Sequence, residues 1–302
     1  MSWKKLKFQY TVIIDKIKCN KGFLKDWRRF EKIALSISKN PPQAISEIQN
    51  SLELLDKKKS KSDIKIFDHG CGAGLKVIYL AVLGYTNIYG VNVNFDVFFI
   101  NKILKKKFKI LEQRFFKTDG KKVPFKSNFF HFIISSQVVE HLTEEEIDLY
   151  YSEEGRILKS NGLVYHEVPH KYIPYESHSR LWLVHLFPYF IKPFLYGILI
   201  SIQQKKNLFF KGGFYAEYYT KKFLILRSPY FHKKMIKKYI GNCKDLTYSR
   251  LFKESDFSSY DNDSPFKLRI LVQKIFKLPF IGKIFIFLFK NFFILQTLSK
   301  KN

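Results

Sequence analysis

Nine residues, Ile66-Phe-Asp-His-Gly-Cys-Gly-Ala-Gly74, constrain this chain more than any other stretch. A short apolar strand, Ile64–Phe67, ends in Asp68 and runs into a turn with glycine at Gly70, Gly72 and Gly74. Glycine admits positive φ and carries no side chain, so a ligand can approach the backbone closely. The apolar, helix-compatible stretch Leu75–Leu83 follows. Strand, glycine turn and helix in succession aim unpaired backbone N–H groups at a bound nucleotide-like ligand. An ordinary tight strand–helix turn has the same signature, so the remainder of the chain decides between them.

That remainder alternates. Ile88–Val93, Ile110–Phe116, Phe129–Ser135 and Leu163–Val168 read as further strands, the second weakened by Glu112 and Arg114. Asp96–Leu104 and Glu144–Leu158 read as helices between them. Thr143 is the expected N-cap of the latter, with Glu146 at the reciprocal capping position, and Asn161-Gly162 closes it. Strands separated by helices of this length predict an α/β fold with a mainly parallel sheet. Ligands on such sheets sit at the carboxyl ends of the strands.

The flanks are read as follows. Residues 1–60 form an N-terminal helical cap, with amphipathic helices at Trp27–Ile37 and Gln43–Leu55 separated by Pro41-Pro42. Residues 61–170 are the cofactor-binding α/β core. Residues 171–227 break the rhythm as an apolar lid or membrane-associated insertion. Residues 228–302 supply C-terminal helices, led by Ser228–Ile240, and the last strands, Lys244–Tyr248 and Asn291–Leu298.

Spaced motifs fall on the predicted strand ends. Asp68-His-Gly-Cys-Gly-Ala-Gly74 places its glycines as GxGxG behind an acidic residue, which is poorer for a pyrophosphate than the dinucleotide GxGxxG spacing. Tyr89-Gly-Val-Asn-Val-Asn94, Thr118-Asp119-Gly120 and Ser135-Ser-Gln-Val-Val-Glu-His-Leu142 come next. Together these motifs resemble the class I S-adenosylmethionine-dependent methyltransferases over roughly residues 60–170. The resemblance implies a Rossmann-like sheet, mainly parallel with the last strand antiparallel, carrying the N-terminal helical cap and a mostly helical insertion after the fifth strand. It implies S-adenosyl-L-methionine as cofactor, bound by Asp68, Gly70, Cys71, Gly72, Gly74, Asn92, Asp119, Gly120 and Gln137. Asp68 would favour the cofactor's ammonium group, since a carboxylate offers acceptors only. Asn92 stands where the family carries Asp or Glu on the ribose hydroxyls, so that hold lacks charge assistance, or passes to Asn94 or Asp96. His131 also replaces a more usual Asp.

The acceptor side is read from Val168-Pro-His-Lys-Tyr-Ile-Pro-Tyr-Glu-Ser-His178. Similar Pro–aromatic–Glu–x–His stretches occur in methyltransferases of quinone, lipid or surface-polysaccharide biosynthesis. His141, His170, Glu176 and His178 are the candidate catalytic residues, because a hydroxyl acceptor needs a base as its new bond forms. A bracing role in the loop is the alternative for Glu176 and His178. The expected acceptor is a small molecule, lipid-linked or a sugar, methylated on oxygen.

Charge is the main evidence for a rival. Lysine and arginine number 53 against 26 acidic residues, a net +27 that suits nucleic acid, an anionic membrane or an acidic substrate. The basic residues are scattered, and joint abundance of Lys, Asn, Ile and Phe equally fits A/T-rich coding. Ser135-Ser-Gln-Val138 replaces the Asn/Asp-Pro-Pro-aromatic stretch of base-methylating relatives, which counts against RNA as substrate. A second rival is a silent methyltransferase fold serving as a membrane-associated module. Leu181–Ile202 is long enough to raise a transmembrane span, but Pro188, Lys192 and Pro193 argue against one. Phe280–Phe289 with Lys283 and Lys290 has the basic amphipathic pattern of a helix lying on a membrane. Cys19, Cys71 and Cys243 are isolated, so no metal site or disulfide is expected, and a reducing cytoplasm fits, with peripheral contact at a membrane's inner face. No signal peptide is expected.

Overall fold

The computed structural model describes residues 43–56, 59–72, 74–93, 105, 109–110, 112–247, 275 and 278–302. The predicted helices Trp27–Ile37 and Asp96–Leu104, with Cys19, Asn94, Asp96 and Tyr248, lie outside these residues. The strands are β1 (Ile66–His69), β2 (Ile88–Asn92), β3 (Phe115–Lys117), β4 (Phe130–Ser136), β5 (Leu158–Val168), a small hairpin of β6 (Tyr175–Glu176) and β7 (Leu181–Trp182), β8 (Gly241–Asp245) and β9 (Leu295–Lys301). All but the hairpin form one sheet in the order β3-β2-β1-β4-β5-β9-β8. The pairings from β3 through β5 are parallel, and β9 runs antiparallel to both β5 and β8. This is the sheet the motifs predicted.

Helices cover both faces, as a buried parallel sheet requires. On one side α1 (Gln43–Asp56) and α2 (Leu75–Val82) pack Ile48, Leu52, Val77 and Leu80 over Ile66, Ile88, Phe132 and Ile134. On the other, α3 (Glu144–Ile157) presents Ile147, Tyr150 and Tyr151 to Phe67, Ile133 and Val164. Strand neighbours such as Phe132, Ile133 and Ile134 thus feed opposite cores, the period-two alternation of a pleated strand. Thr143 caps α3 as predicted, its hydroxyl accepting from the Glu146 N–H while the Glu146 carboxylate accepts from the Thr143 N–H.

Several boundaries differ from the sequence reading. Helix α3 stops at Ile157, and Leu158–Gly162 join β5 instead of closing the helix, with Asn161 in the left-handed region at φ 61°. The third strand keeps only Phe115–Lys117, and Glu112 and Arg114 pair with each other just before it. The strand expected at Lys244–Tyr248 lies at Gly241–Asp245, and the last strand lies at Leu295–Lys301.

Leu181–Ile202 is not one helix. It divides into β7, a short turn at Val184–Leu186 and, beyond Pro188, α4 (Lys192–Gln204) with Pro193 in its first turn. Among the described residues no helix is long and apolar enough to cross a membrane. Helix α4 packs on α5 (Gly212–Glu217) around a small core of its own that includes Tyr196, Ile200 and Ala216. The chain then returns through α6 (Pro229–Tyr239), whose Met235 and Ile236 complete the core beneath α3.

A buried carboxylate joins helix α3 to two strands. Glu154, fully buried, accepts from His69 Nδ1 at 3.1 Å at the end of β1 and from His166 Nε2 at 2.8 Å in β5. Tyr150, one turn earlier, stacks on the His69 ring at 3.7 Å and donates to the His69 carbonyl. Burial works to raise the Glu154 carboxyl, but the two imidazoles outweigh it and hold the group at about 2. Between the ordinary value of 4.5 and about 2 the folded chain binds fewer protons than the unfolded one. This contribution is therefore present above that window and lost as pH falls through it. Glu154→Gln leaves one imidazole facing an amide that cannot accept from it. We expect a loss of about 2–3 kcal/mol in urea unfolding at neutral pH, with a shallower acid dependence than the parent chain. Unchanged urea midpoints would show that the clamp adds no net stability.

Candidate functional site

The site is built where the chain reverses its progress across the sheet. Connections run from β1 outward to β3, then return to β4 on β1's other side, leaving a crevice at the carboxyl ends of β1 and β4. The glycine turn fills one side. The N–H groups of Gly70 and Cys71 both donate to the Val91 carbonyl, at 3.1 and 3.0 Å, and the Gly74 N–H donates to Cys71 at 2.8 Å. Gly70 and Gly72 have φ of 92° and 52°, for different reasons. A Cβ on Gly70 would meet Val138 Cγ2 at 2.4 Å, so this glycine serves packing of the turn against the chain after β4. A Cβ on Gly72 would meet no atom within 4 Å, so its open face is free for close approach by something else.

Around the turn the predicted cofactor residues are brought to one end of the sheet. Asp68 is buried beside Gly90 and Ile134, and burial, partly offset by Lys76, pushes its carboxyl up to about 6. Burial pushes the Cys71 thiol well above its ordinary range, so it stays protonated and unreactive. Asn92 ends β2, buried, and its carbonyl accepts from Thr118 N–H at 3.0 Å, which ties the Thr118–Gly120 loop to that strand end. Asp119 is exposed and caps its own turn by accepting from Lys121 N–H. Gln137 is exposed at the end of β4 with φ 56°, its N–H donating to the Glu167 carbonyl.

The predicted catalytic residues separate into two groups. His141 and His178 meet edge to face, ring centres 5.1 Å apart, with Phe223 against both. His141 Nδ1 donates to the Phe223 carbonyl at 2.7 Å, and His178 Nδ1 donates to Glu176 Oε1 at 2.7 Å. Glu176 is buried and also accepts the backbone N–H groups of His178 and Ser179, so it both braces the loop and orients His178. Burial works to raise Glu176, but these donors hold it below its ordinary range, and His178 is raised chiefly by the same hydrogen bond. His170 stands apart from this arrangement. It is buried, donates through Nε2 to the Phe293 carbonyl at 2.8 Å and accepts through Nδ1 from the Tyr172 N–H, so it pins the loop after β5 to the approach to β9.

Two further residues complete the site. Glu140 is fully buried in the turn after β4, between Val138 and His141, and burial pushes its carboxyl up to about 8. Arg227 holds the returning insertion to that turn, donating to the Val139 and Leu142 carbonyls and pairing with Glu144 at 2.9 Å. The Ile225 N–H donates to the Glu140 carbonyl beside it. The Val-Val-Glu-His run carried a signal for Glu140, whereas nothing local marked Arg227, whose partners lie far away in sequence.

Residues 67–166 match the family model described as a methyltransferase domain. No curated protein matches the chain. Solved structures similar to it include the PH0226 protein of Pyrococcus horikoshii OT3, 24% identical over 40% of this chain and 56% of that one, with a TM-score of 0.32. The chain thus spans little more than half of that protein. The YcgJ protein of Bacillus subtilis is 12% identical, with 84% and 99% covered and a TM-score of 0.42. Geranyl diphosphate C-methyltransferase of Streptomyces coelicolor A3(2) is 15% identical, with 94% and 84% covered and a TM-score of 0.44. The stretch that matches this family model holds strands β1 to β5, the glycine turn and the crevice described above.

Proposed function

We propose that this chain is an S-adenosylmethionine-dependent methyltransferase that acts on an oxygen of a small acceptor, lipid-linked or a sugar, presented at a membrane surface. The observation that carries the lipid reading is the outer face of the insertion beside the crevice. Phe190, Phe194, Phe210 and Phe214 are 80, 56, 92 and 63% exposed. Lys205, Lys206 and Lys211 are exposed among them. Elsewhere on the surface, helix α7 (Ile281–Phe289) exposes Ile284, Phe287 and Leu288 with Lys283. Exposed aromatic surface interleaved with lysine suits the boundary of an anionic bilayer, where rings enter the headgroup layer and ammonium groups meet phosphates.

In this reading the glycine turn receives the methionine end of the cofactor against Gly72, with Asp68 favouring its ammonium group. Asn92, Asp119, Gly120 and Gln137 take the adenosine end, and Gly70, Cys71 and Gly74 shape the turn. The acceptor approaches from the side of His141 and His178. His178, oriented by Glu176, presents Nε2 as the base that removes the acceptor's proton. Much of the acceleration then comes from alignment of donor and acceptor. His170 supports the loop rather than the reaction, since both of its ring nitrogens are engaged.

Three outcomes test this reading. Isothermal titration with S-adenosylhomocysteine gives saturable binding to the parent chain, while Gly72→Phe folds but binds at least about a hundredfold more weakly; equal affinities would refute the placement of the methionine end. Binding is full near neutral pH and weakens as pH falls through about 6, where Asp68 takes up a proton and can no longer attract an ammonium group. Asp68→Asn flattens this dependence, and a parent profile without the acid limb would remove Asp68 from the ammonium site. Finally, the chain sediments with vesicles containing phosphatidylglycerol more than with neutral phosphatidylcholine vesicles, and a Phe190→Ser, Phe210→Ser double variant loses most of that association. Equal sedimentation of parent and variant would argue against a lipid-facing insertion.

A further inference from the structure

Glu140, His141 and His178 each offer one ligating atom, and these three atoms lie within 4.8 Å of one another. How each group is held beyond that contact is the informative part. The Phe223 carbonyl can only accept, so the proton of His141 sits on Nδ1 and its Nε2 carries a lone pair. The Glu176 carboxylate does the same for His178, again leaving the lone pair on Nε2. Acceptors behind both rings are the arrangement that orients imidazole ligands toward a metal ion and raises their basicity. The Glu140 side chain is fully buried, and neither carboxylate oxygen has a hydrogen-bond partner; His141 Nε2 lies 4.0 Å from Oε1. A buried carboxylate with nothing to satisfy it is costly unless something missing from the chain completes it.

We propose that Glu140, His141 and His178 form a binding site for a divalent first-row transition cation of the zinc class. Two imidazoles and one carboxylate are a donor set suited to such ions, and three protein ligands leave coordination positions open. The site adjoins the crevice, because Val138, two residues before Glu140, packs against Gly70. A slight contraction of the cluster brings the three ligands around one centre, with Glu176 and the Phe223 carbonyl as the outer layer. The ion's binding stands on the ligands alone, whereas its role rests on the reading of methyl transfer to oxygen. In that role an open position takes the acceptor's oxygen. With the ion bound, the His178 Nε2 lone pair is taken and cannot act as the base of the ion-free chain; the ion instead acidifies the hydroxyl, whose proton leaves to solvent water. The oxygen's electron pair forms the new bond to the methyl carbon as the bond from that carbon to the cofactor's sulfur breaks. The sulfur keeps the pair, and S-adenosylhomocysteine leaves as a neutral thioether.

The full chain, stripped with chelator and desalted, is titrated with zinc chloride by calorimetry and with cobalt chloride by absorption. The expected result is uptake of one ion per chain, visible cobalt bands of a low-coordinate nitrogen–oxygen site that zinc abolishes, and affinity lowered at least about tenfold by Glu140→Gln and by His178→Gln. S-adenosylhomocysteine binding by each variant reports that its fold is intact. The cobalt spectrum of the parent chain needs no variant at all. Absence of saturable uptake, affinities unchanged in both variants, or a cobalt–thiolate charge-transfer band pointing to cysteine would each overturn the site. Ion uptake without S-adenosylhomocysteine binding would instead overturn the cofactor placement and leave the ion site standing.

Discussion

The carboxylate of Glu154 is the contact on which the rest of the site depends. It projects from the middle of α3, engages His69 immediately before the glycine turn, and reaches His166 two strands away. Tyr150 adds a ring stacked on His69 and a hydroxyl shared between the His69 carbonyl and Ser135. One helix face thereby fixes the carboxyl ends of β1, β4 and β5 relative to each other through polar groups, where an apolar contact would fix only their separation. Directional bonds among buried groups carry a high penalty when misplaced, so they specify position more sharply than they add stability. The glycine turn starts from a strand end that is already immobilised.

Beyond that clamp, the acceptor side is assembled from the chain that departs after β5 and comes back. The departing loop places Glu176 and His178, and the returning strand of chain places Phe223, Ile225 and Arg227. Both ends converge on the turn that follows β4. Helices α4 and α5, between these ends, keep a separate small core. The insertion is therefore firmly attached at its base and independently packed at its outer part, which is where the exposed phenylalanines lie.

Much of this was legible in the sequence, and the division follows physical lines. The glycine turn, the strand rhythm and the capping box of α3 are local, each readable within a few residues. The parallel order with one antiparallel strand came from the family resemblance and is what the sheet has. Less legible was β8, whose Gly-Asn-Cys-Lys-Asp carries no apolar alternation because it is an edge strand held by β9 alone. The start of β5 was misplaced because Asn161-Gly162 looks like a helix terminator, while here Asn161 turns left-handed inside an irregular pairing with β4. His170 reads as catalytic for its position just past a strand, and its bond to the Phe293 carbonyl, far along the chain, leaves no local trace in the sequence. Glu140 was legible beside His141 in the run after the fourth strand, but its burial without a hydrogen-bond partner is visible only in three dimensions.

The central position of β9 has a consequence for how such a chain emerges from the ribosome. Residues 295–301 lie between β5 and β8, so both neighbours wait for the last-made strand. Until it arrives, β5 presents a buried, apolar strand with an open edge, and β8 has no sheet to join. Open edges of this kind pair with other chains readily. The nascent chain therefore holds the nearly complete parallel half of the sheet in an adhesive state through the synthesis of more than a hundred further residues, the interval in which a chaperone has most to shield.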